Sequence, residues 1–242
     1  MVITKWTPEN LRTLSDQFEH SHPVEILRWG WENFGDGIAL ATGFGPEGVV
    51  LMHLVSQIAP EMTIFYLDTD LLFEETYALR DELANRLGLR FTRVHSRLSL
   101  ETQAAQYGPE LWARDPDQCC QLRKVNPLRQ YLADKGAWIT AIRRDQTQTR
   151  AAAGLVEWDA ANQLVKLNPL ANWTSRQVWT HIANYHLPYN PLHDAGYPSL
   201  GCWPCTHPVA AGADPRSGRW AGLGKTECGI HLSPLEARKN RA

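Results

Sequence analysis

The chain has 242 residues, of which 43% are hydrophobic, and this is enough apolar material to bury a sizeable core. Its formal net charge of -2 provides no general attraction for nucleic acid or an anionic membrane, so any cationic site must be local. The longest apolar runs end well before the roughly 20 residues of a membrane span, and the N-terminus lacks a signal-peptide pattern. We therefore expect a cytoplasmic protein that binds neither nucleic acid nor membrane, and its oligomeric state stays open, a homo-oligomer included.

The first 35 residues have helical periodicity, and Pro8 and Pro23 stand where a first helical turn favours proline. Strands and helices then alternate along the chain. Strands are predicted at 38–43, 63–68, 89–94 and 137–142, and helices at 49–58, at Glu74–Leu87 and at 120–135, with a kink or break near Pro127. This alternation indicates an α/β fold with a doubly wound parallel sheet that is covered on both faces.

Two more elements follow the fourth strand. Residues 155–167 predict a hairpin closed by D-A-A-N, and residues 174–185 predict a helix with Thr174 as N-cap and Gln177 three residues later. Proline is frequent and periodicity is weak from residue 186 onward. We accordingly expect one α/β nucleotide-binding domain at residues 1–200, and a C-terminal arm at residues 201–242 that carries a C-x-x-C and a mobile tail.

Ligands of an open parallel sheet bind beyond the carboxyl ends of its strands. The loop after the first strand contains Thr42, Gly43 and Gly45, and its free backbone N–H groups suit an anion. An ordinary strand-to-helix turn is the alternative. Asp68 ends the second strand, where its carboxylate can accept from a ribose hydroxyl or an adenine amino group, or simply cap the next helix.

Five arginines form a candidate anion site. Arg143, Arg144 and Arg150 follow the fourth strand, where guanidiniums can bind sulfate or phosphate oxygens or form solvated salt bridges instead. Arg216 and Arg219 lie on the same C-terminal arm as Cys228 and can move with it. This group predicts an anionic substrate.

The cysteines divide into four plus one. They are an adjacent pair, Cys119 and Cys120, a C-x-x-C pair, Cys202 and Cys205, and the single Cys228. Because cytosolic cysteines stay reduced, the two pairs predict four sulfur ligands of a metal centre. Neighbouring side chains diverge, which favours the separate irons of a [4Fe-4S] cluster over one zinc ion. Structural zinc and four plain reduced cysteines are the alternatives.

Two further residues are candidates for a cation and a nucleophile at this site. Lys124 follows Cys120 by four residues, so on a regular helix its ammonium lies near the metal centre and an anionic substrate, unless it is simply solvated. Cys228 stands between Lys225 and His231 in a glycine-flanked stretch. It is predicted to be an accessible nucleophile that its positive neighbours partly ionise, with an incidental surface thiol as the alternative.

The motifs C-C-Q-L-R-K-V-x-P-L, G-C-W-P-C-T and K-T-E-C-G-I-H resemble the assimilatory adenylyl-sulfate / phosphoadenylyl-sulfate reductase family. The resemblance covers nearly the whole chain, from A-T-G-F-G through Y-L-D-T-D and R-R-D-Q to the tail. It implies the adenine nucleotide alpha hydrolase-like version of the doubly wound fold. The first loop departs from the S-x-G-G-x-D-S form of related ATP pyrophosphatases, which fits a protein that does not cleave ATP.

The resemblance also implies a reaction. The thiolate of Cys228 attacks the sulfur of adenylyl sulfate, AMP leaves, and thioredoxin or glutaredoxin releases sulfite from the enzyme S-sulfonate, a step of sulfate assimilation and cysteine biosynthesis. In the family, cysteines at the positions of the two pairs hold a [4Fe-4S] cluster, and members with that set mostly use adenylyl sulfate. The residues that we assign to substrate binding are Thr42, Gly43, Gly45, Asp68, Lys124, Arg143, Arg144, Arg150, Arg216, Arg219 and His231.

Three other functions are alternatives to this one. A phosphoadenylyl-sulfate reductase with the same cluster is the nearest alternative, and it would need a further cation for the 3'-phosphate. A non-catalytic zinc-binding module is more remote. An iron-sulfur tRNA thiolase would need an ATP-cleaving loop and a basic surface, and the sequence has neither.

Overall fold

The structure is a computed structural model that describes residues 5–223, 225 and 227–231. Its central sheet has six strands, numbered in chain order: β1 Ile38–Thr42, β2 Thr63–Asp68, β3 Phe91–His95, β4 Ala137–Ile139, β5 Val156–Asp159 and β6 Leu164–Leu167. Their order across the sheet is β3-β2-β1-β4-β6-β5, and each neighbouring pair is parallel except β5 with β6. The predicted doubly wound fold is confirmed, and the predicted hairpin forms one edge of the sheet.

The described part of the chain contains nine α-helices: α1 Pro8–Gln17, α2 Pro23–Phe34, α3 Pro46–Ile58, α4 Glu74–Leu87, α5 Leu100–Tyr107, α6 Leu111–Arg114, α7 Pro116–Cys120, α8 Asn126–Leu132 and α9 Ser175–Asn184. Their ends follow local signals. Pro8 and Pro23 occupy first turns, and Gly88 ends α4 in the left-handed conformation, with φ 65°. Thr174 and Gln177 form the predicted capping box of α9. None of the described helices is both long and apolar enough to cross a membrane.

The sheet separates two cores because successive side chains of a strand point to opposite faces. Ile38 and Leu40 of β1 belong to the larger core, which α2, α3 and α9 help to form. Ala39 belongs to the smaller one, together with Leu128 and Leu132 of α8. The tail also packs on this second face, through Ile230.

The predicted helix at residues 120–135 is wrong at its start and is divided. Its first part, α7, ends at Cys120, and a π-helical turn, Gln121–Val125, separates it from α8. Within this turn the backbone N–H of Asn126 donates to the carbonyl of Gln121, five residues back. Pro127 lies in the first turn of α8, so the predicted break near this proline is confirmed. Cys120 therefore ends a helix and does not open one.

The strand order places a crevice beside β1. The chain runs from β1 outward to β2 and β3, and then returns to β4 on the other side of β1. Such a reversal opens a ligand crevice at the carboxyl ends of the two strands that flank it. Because β2, β1 and β4 are neighbours, the loops that follow them meet at this edge, as the sequence predicted.

Beyond α9 the described chain is irregular, as predicted. It forms the short 3-10 turns Pro191–His193 and Trp203–Cys205, and isolated bridges pair Leu72 with Cys202 and Thr206 with Arg219. The tail at 232–242, with Gly224 and Thr226, lies outside the described residues, so its predicted mobility stays a prediction.

Candidate active site

The loop after β1 is tightly built. The Oγ1 atom of Thr42 accepts from the N–H of Phe44 at 3.0 Å, and Gly45 is the N-cap of α3. Phe44, and neither Gly43 nor Gly45, takes the left-handed conformation, with φ 57° and its ring buried against Tyr66. The loop therefore leads straight into the N-terminus of α3, which is where an anion would bind.

The three arginines after β4 have different partners. Arg143 is buried and pairs with Glu47, in the first turn of α3, so it joins this loop to the loop after β1. Arg150 pairs with Glu227 of the tail. The structure does not bring Arg144 to them, because its guanidinium pairs with Glu19 at 2.5 and 2.9 Å.

The carboxylate of Asp68 already has several protein donors. It accepts from the Tyr77 hydroxyl at 2.7 Å, from Nε of Arg93 at 2.6 Å and from the N–H of Asp70 at 2.9 Å. Burial raises the pKa of Asp68, but these bonds outweigh it, so the pKa lies below its usual value and the group is ionised at neutral pH. In this structure Asp68 holds the loop after β2 in place, and its predicted contact with the nucleotide stays a prediction.

The four paired cysteines come together from two segments. Cys119 and Cys120 end α7, Cys202 and Cys205 flank the turn Trp203–Cys205, and all four are buried free thiols. They line one cavity, together with residues that include Thr69 and Lys124. Among the residues that the structure describes, no group of three or more His, Cys, Asp or Glu side chains is arranged to hold a metal ion. The [4Fe-4S] cluster therefore stays a prediction.

Lys124 lies beside these sulfurs although its helix differs from the predicted one. Burial lowers the pKa of Lys124, but the sulfurs of Cys202, Cys120 and Cys228 raise it more, so the ammonium stays charged. Lys124 has the reverse effect on Cys202. Burial raises the pKa of Cys202, but Lys124 and the Thr69 hydroxyl at 3.2 Å lower it by more, so the pKa lies below its usual value. A cation therefore lies among the sulfur atoms.

The tail places Cys228 against the same group. Its side chain packs on the cluster that contains Cys120, Cys202, Cys205 and Trp220, and it is half-buried. A predicted mobile thiol is thus held in a defined place in this structure.

The residues that follow Cys228 continue onto the sheet. His231 stacks on Trp138 of β4, with the ring centroids 5.9 Å apart. Burial, followed by the charges of Arg150, Lys166 and Arg216, holds the pKa of His231 well below its usual value. The imidazole is therefore neutral at physiological pH.

The comparisons with known proteins decide the family. The family model described as phosphoadenosine phosphosulfate reductase domain matches residues 37–208. The chain belongs to this family. It is 53% identical over 230 residues to an adenosine 5'-phosphosulfate reductase of Salinibacter ruber, an alignment that covers 95% of this chain and 91% of the relative. It is also 48% identical over 224 residues to a phosphoadenosine 5'-phosphosulfate reductase of Gloeobacter violaceus, covering 91% and 93%.

Solved structures agree with the family. A phosphoadenylyl-sulfate reductase of Candida auris, in a phosphate complex, matches with a TM-score of 0.72 and 29% identity over 84% of this chain and 98% of its own. An FMN adenylyltransferase of Candida glabrata, at a TM-score of 0.57 and 16% identity over 97% and 90%, shares only the fold. The chain is an oxidoreductase of the adenylyl-sulfate / phosphoadenylyl-sulfate reductase family.

Within this reductase fold, eight of the predicted site residues form two neighbouring groups. The first group is the four paired cysteines with Lys124 and Cys228. The second group is Arg150 and Arg216, which Glu227 joins. Arg219 is buried, donates to the Leu200 carbonyl at 2.8 Å and lies over the Trp220 ring.

Two residues of the site were not found from the sequence. Glu227 is an acidic residue in an irregular segment, and its sequence signal is its place in the K-T-E-C-G-I-H motif, to which no role was assigned. Arg123 is buried and donates to Asp70. In the sequence it stands beside Lys124 in a predicted helix, and nothing in that pattern indicates burial. Both became visible only through tertiary contacts.

Proposed function

We propose that the protein reduces adenylyl sulfate to sulfite and AMP, with Cys228 as the nucleophile and thioredoxin or glutaredoxin as the reductant. One observation carries the proposal. The thiol of Cys228 packs on the cluster that contains Cys120, Cys202 and Cys205, and the residue before it contacts Arg150 and Arg216, so a nucleophilic sulfur and anion-binding guanidiniums lie side by side. Reduced thiols and a dithiol partner also agree with the predicted cytoplasmic location.

The first step forms a sulfur–sulfur bond. The thiolate of Cys228 attacks the sulfur of adenylyl sulfate, the bond from that sulfur to the phosphate oxygen breaks, and AMP leaves with the electron pair. Negative charge grows on the phosphate oxygen as this bond breaks. Fixed cations such as Lys124 and Arg150 therefore stabilise the transition state more than the ground state.

The second step uses the reductant. A thiolate of the dithiol attacks the sulfur of Cys228, and sulfite leaves with the electrons of the broken bond. The second thiol of the reductant then resolves the mixed disulfide and returns Cys228 as a thiol. The dithiol supplies two electrons in all, which is the difference between the sulfate and sulfite oxidation levels.

We also propose that Cys119, Cys120, Cys202 and Cys205 hold a [4Fe-4S] cluster. The support is the donor set, since four unpaired thiols from two segments line one buried cavity. When bound, such a cluster would tie α7 to the turn Trp203–Cys205 and add its own charge beside Lys124.

Mass spectrometry of the intact protein after incubation with adenylyl sulfate tests the nucleophile. We expect a sulfonate adduct on the peptide that contains Cys228, and its removal by reduced thioredoxin. Cys228→Ser should keep its iron and release no AMP, whereas Cys202→Ser should lose iron and activity together. Native AMP release by Cys228→Ser, or equal iron loss in both variants, would contradict the proposal.

A phosphoadenylyl-sulfate reductase remains the second candidate. The name of the relative from Gloeobacter violaceus, at 48% identity, favours it. Rates with the two nucleotides, measured at equal reductant, decide between them. We expect a preference for adenylyl sulfate, and a clear preference for the 3'-phosphorylated nucleotide would assign the second function.

A further inference from the structure

The carboxylate of Glu227 is buried where the sequence predicts a loose tail. Only 3% of its side chain is exposed, although the described residues among 225–231 form neither helix nor strand. A buried carboxylate is strongly disfavoured unless cations and hydrogen-bond donors compensate it. The partners of Glu227 therefore show what holds this segment.

Those partners come from the loop after β4 and from the C-terminal arm. Arg150 donates through Nε at 2.9 Å and through Nη2 at 2.8 Å, one bond to each carboxylate oxygen of Glu227. The Thr147 hydroxyl lies at 3.3 Å and Nη2 of Arg216 at 3.4 Å. A two-bond guanidinium–carboxylate pair fixes orientation as well as distance. Glu227 is thus held in one pose.

This pose sets the position of the neighbouring thiol. The α-carbons of Glu227 and Cys228 are joined by one peptide and are about 3.8 Å apart. On the other side of Glu227, the ammonium of Lys225 pairs with Asp117, just before the adjacent cysteines. After the thiol, Gly229 turns the chain with φ 90°. Two ion pairs from separate elements therefore fix the chain that carries the thiol.

We propose that Glu227 is a positioning residue, which acts through its pair with Arg150 to hold the Cys228 thiol against the four-cysteine group. The importance of this for turnover rests on the proposed function of Cys228. Arg150 accordingly has a second task besides any contact with the substrate: it anchors the tail.

The rate at which a neutral alkylating reagent modifies Cys228 measures the anchor without turnover. We compare wild-type holoenzyme with Glu227→Gln and Glu227→Asp, and locate the label by mass spectrometry of the tail peptide. Rates are measured from pH 7 to pH 10, because the limiting rate at high pH separates exposure of the thiol from its ionisation. Glu19→Gln is the matched control, since Glu19 also pairs with an arginine through two bonds, far along the chain in the turn Phe18–His20.

We expect the limiting rate to rise at least tenfold in Glu227→Gln, less in Glu227→Asp, and less than twofold in Glu19→Gln. Arg150→Gln should raise it too, and the variant with both changes should be no faster than the faster single variant, because one pair is lost in each case. A limiting rate within twofold of wild type in Glu227→Gln, or additive effects in the double variant, would overturn the anchor.

Steady-state kinetics with adenylyl sulfate then test positioning. Misplacing the thiol should lower kcat at least tenfold in Glu227→Gln and change KM less than threefold, with partial recovery in Glu227→Asp. A raised KM at unchanged kcat would instead mean that Glu227 only organises the cations for substrate, and it would refute positioning. Absence of turnover in the wild type would refute the proposed function while the alkylation result still decides the anchor.

Discussion

Arg123 provides the sharpest test of how the site is held together. Its side chain is 1% exposed in the π-helical turn between Cys120 and Lys124. It donates to the Asp70 carboxylate at 2.8 Å, to Gln103 Oε1 at 2.8 Å and to the Thr69 carbonyl at 3.0 Å. These bonds connect the turn to the loop after β2 and to α5.

The variant Arg123→Met keeps an unbranched apolar stem and removes the charge and the donors of the guanidinium. Breaking one side of a buried ion pair costs about 3–5 kcal/mol, and the lower end applies because Asp70 is 29% exposed and also pairs with Arg93. The buried acceptor of Gln103, left unpaired, adds about 1 kcal/mol. We therefore expect a loss of about 4 kcal/mol in the free energy of unfolding. At about 2–4 °C per kcal/mol, the melting temperature should fall by about 8–16 °C.

Thermal unfolding followed by tryptophan fluorescence under reducing, oxygen-free conditions measures this change. Arg80→Met is the control, because Arg80 makes an equally close pair with Asp81, whose side chain is 64% exposed. Exposed pairs contribute about 0–1 kcal/mol, so this control should melt within about 4 °C of wild type. If Arg123→Met melted as close to wild type as the control does, the reasoning about the buried network would be refuted.

Two further predictions concern charge. Lys124→Met should lower the single-turnover rate of AMP release about 100-fold or more, because it removes the cation among the sulfurs, and a loss below tenfold would contradict that role. His53 and His181 lie 3.0 Å apart between α3 and α9; burial lowers the pKa of His53, and burial followed by His53 and His22 lowers that of His181 to about 4. Since the unfolded chain then binds protons more readily than the folded one, stability should fall as the pH decreases from about 6.5 toward 4. Urea unfolding measures this effect as the decrease in the free energy of unfolding between pH 7.5 and pH 5.5. That decrease should be smaller for His181→Phe than for wild type, and an equal decrease in both would argue against the pair.

Three of the four strands predicted before the hairpin match within two residues, but β4 ends at Ile139 and not at residue 142. The strands and most helix ends that were predicted correctly have local signals. The capping box of Thr174 and the left-handed end at Gly88 depend on residues within a few positions along the chain. The π-helical turn at Gln121–Val125 was not predictable, because it coincides with the distant contacts of Arg123. Helices α5 and α6 lie in a stretch for which no element was predicted.

The same distinction applies to the site. The cysteine pairs could be grouped from spacing alone, since few other residue types share their chemistry. The partners of the arginines could not be predicted, because Arg144 and Glu19 are 125 residues apart in sequence and Arg150 and Glu227 are 77 apart. An arginine after a strand predicts a cationic site, but only the fold shows which guanidinium a carboxylate already occupies.

The loop after β2 links the sheet to the cysteine group. At its start, Asp68 is fixed by Tyr77 and Arg93, which belong to α4 and β3. The next residue, Thr69, contacts the Cys202 sulfur, and the carbonyl of Leu71 accepts from the N–H of Trp203 at 2.8 Å. A shift of this loop would therefore move one cysteine pair relative to the crevice at β1. The L-D-T-D sequence thus positions the cysteine-lined cavity against the edge of the sheet where a nucleotide is expected, whichever of its carboxylates touches the substrate.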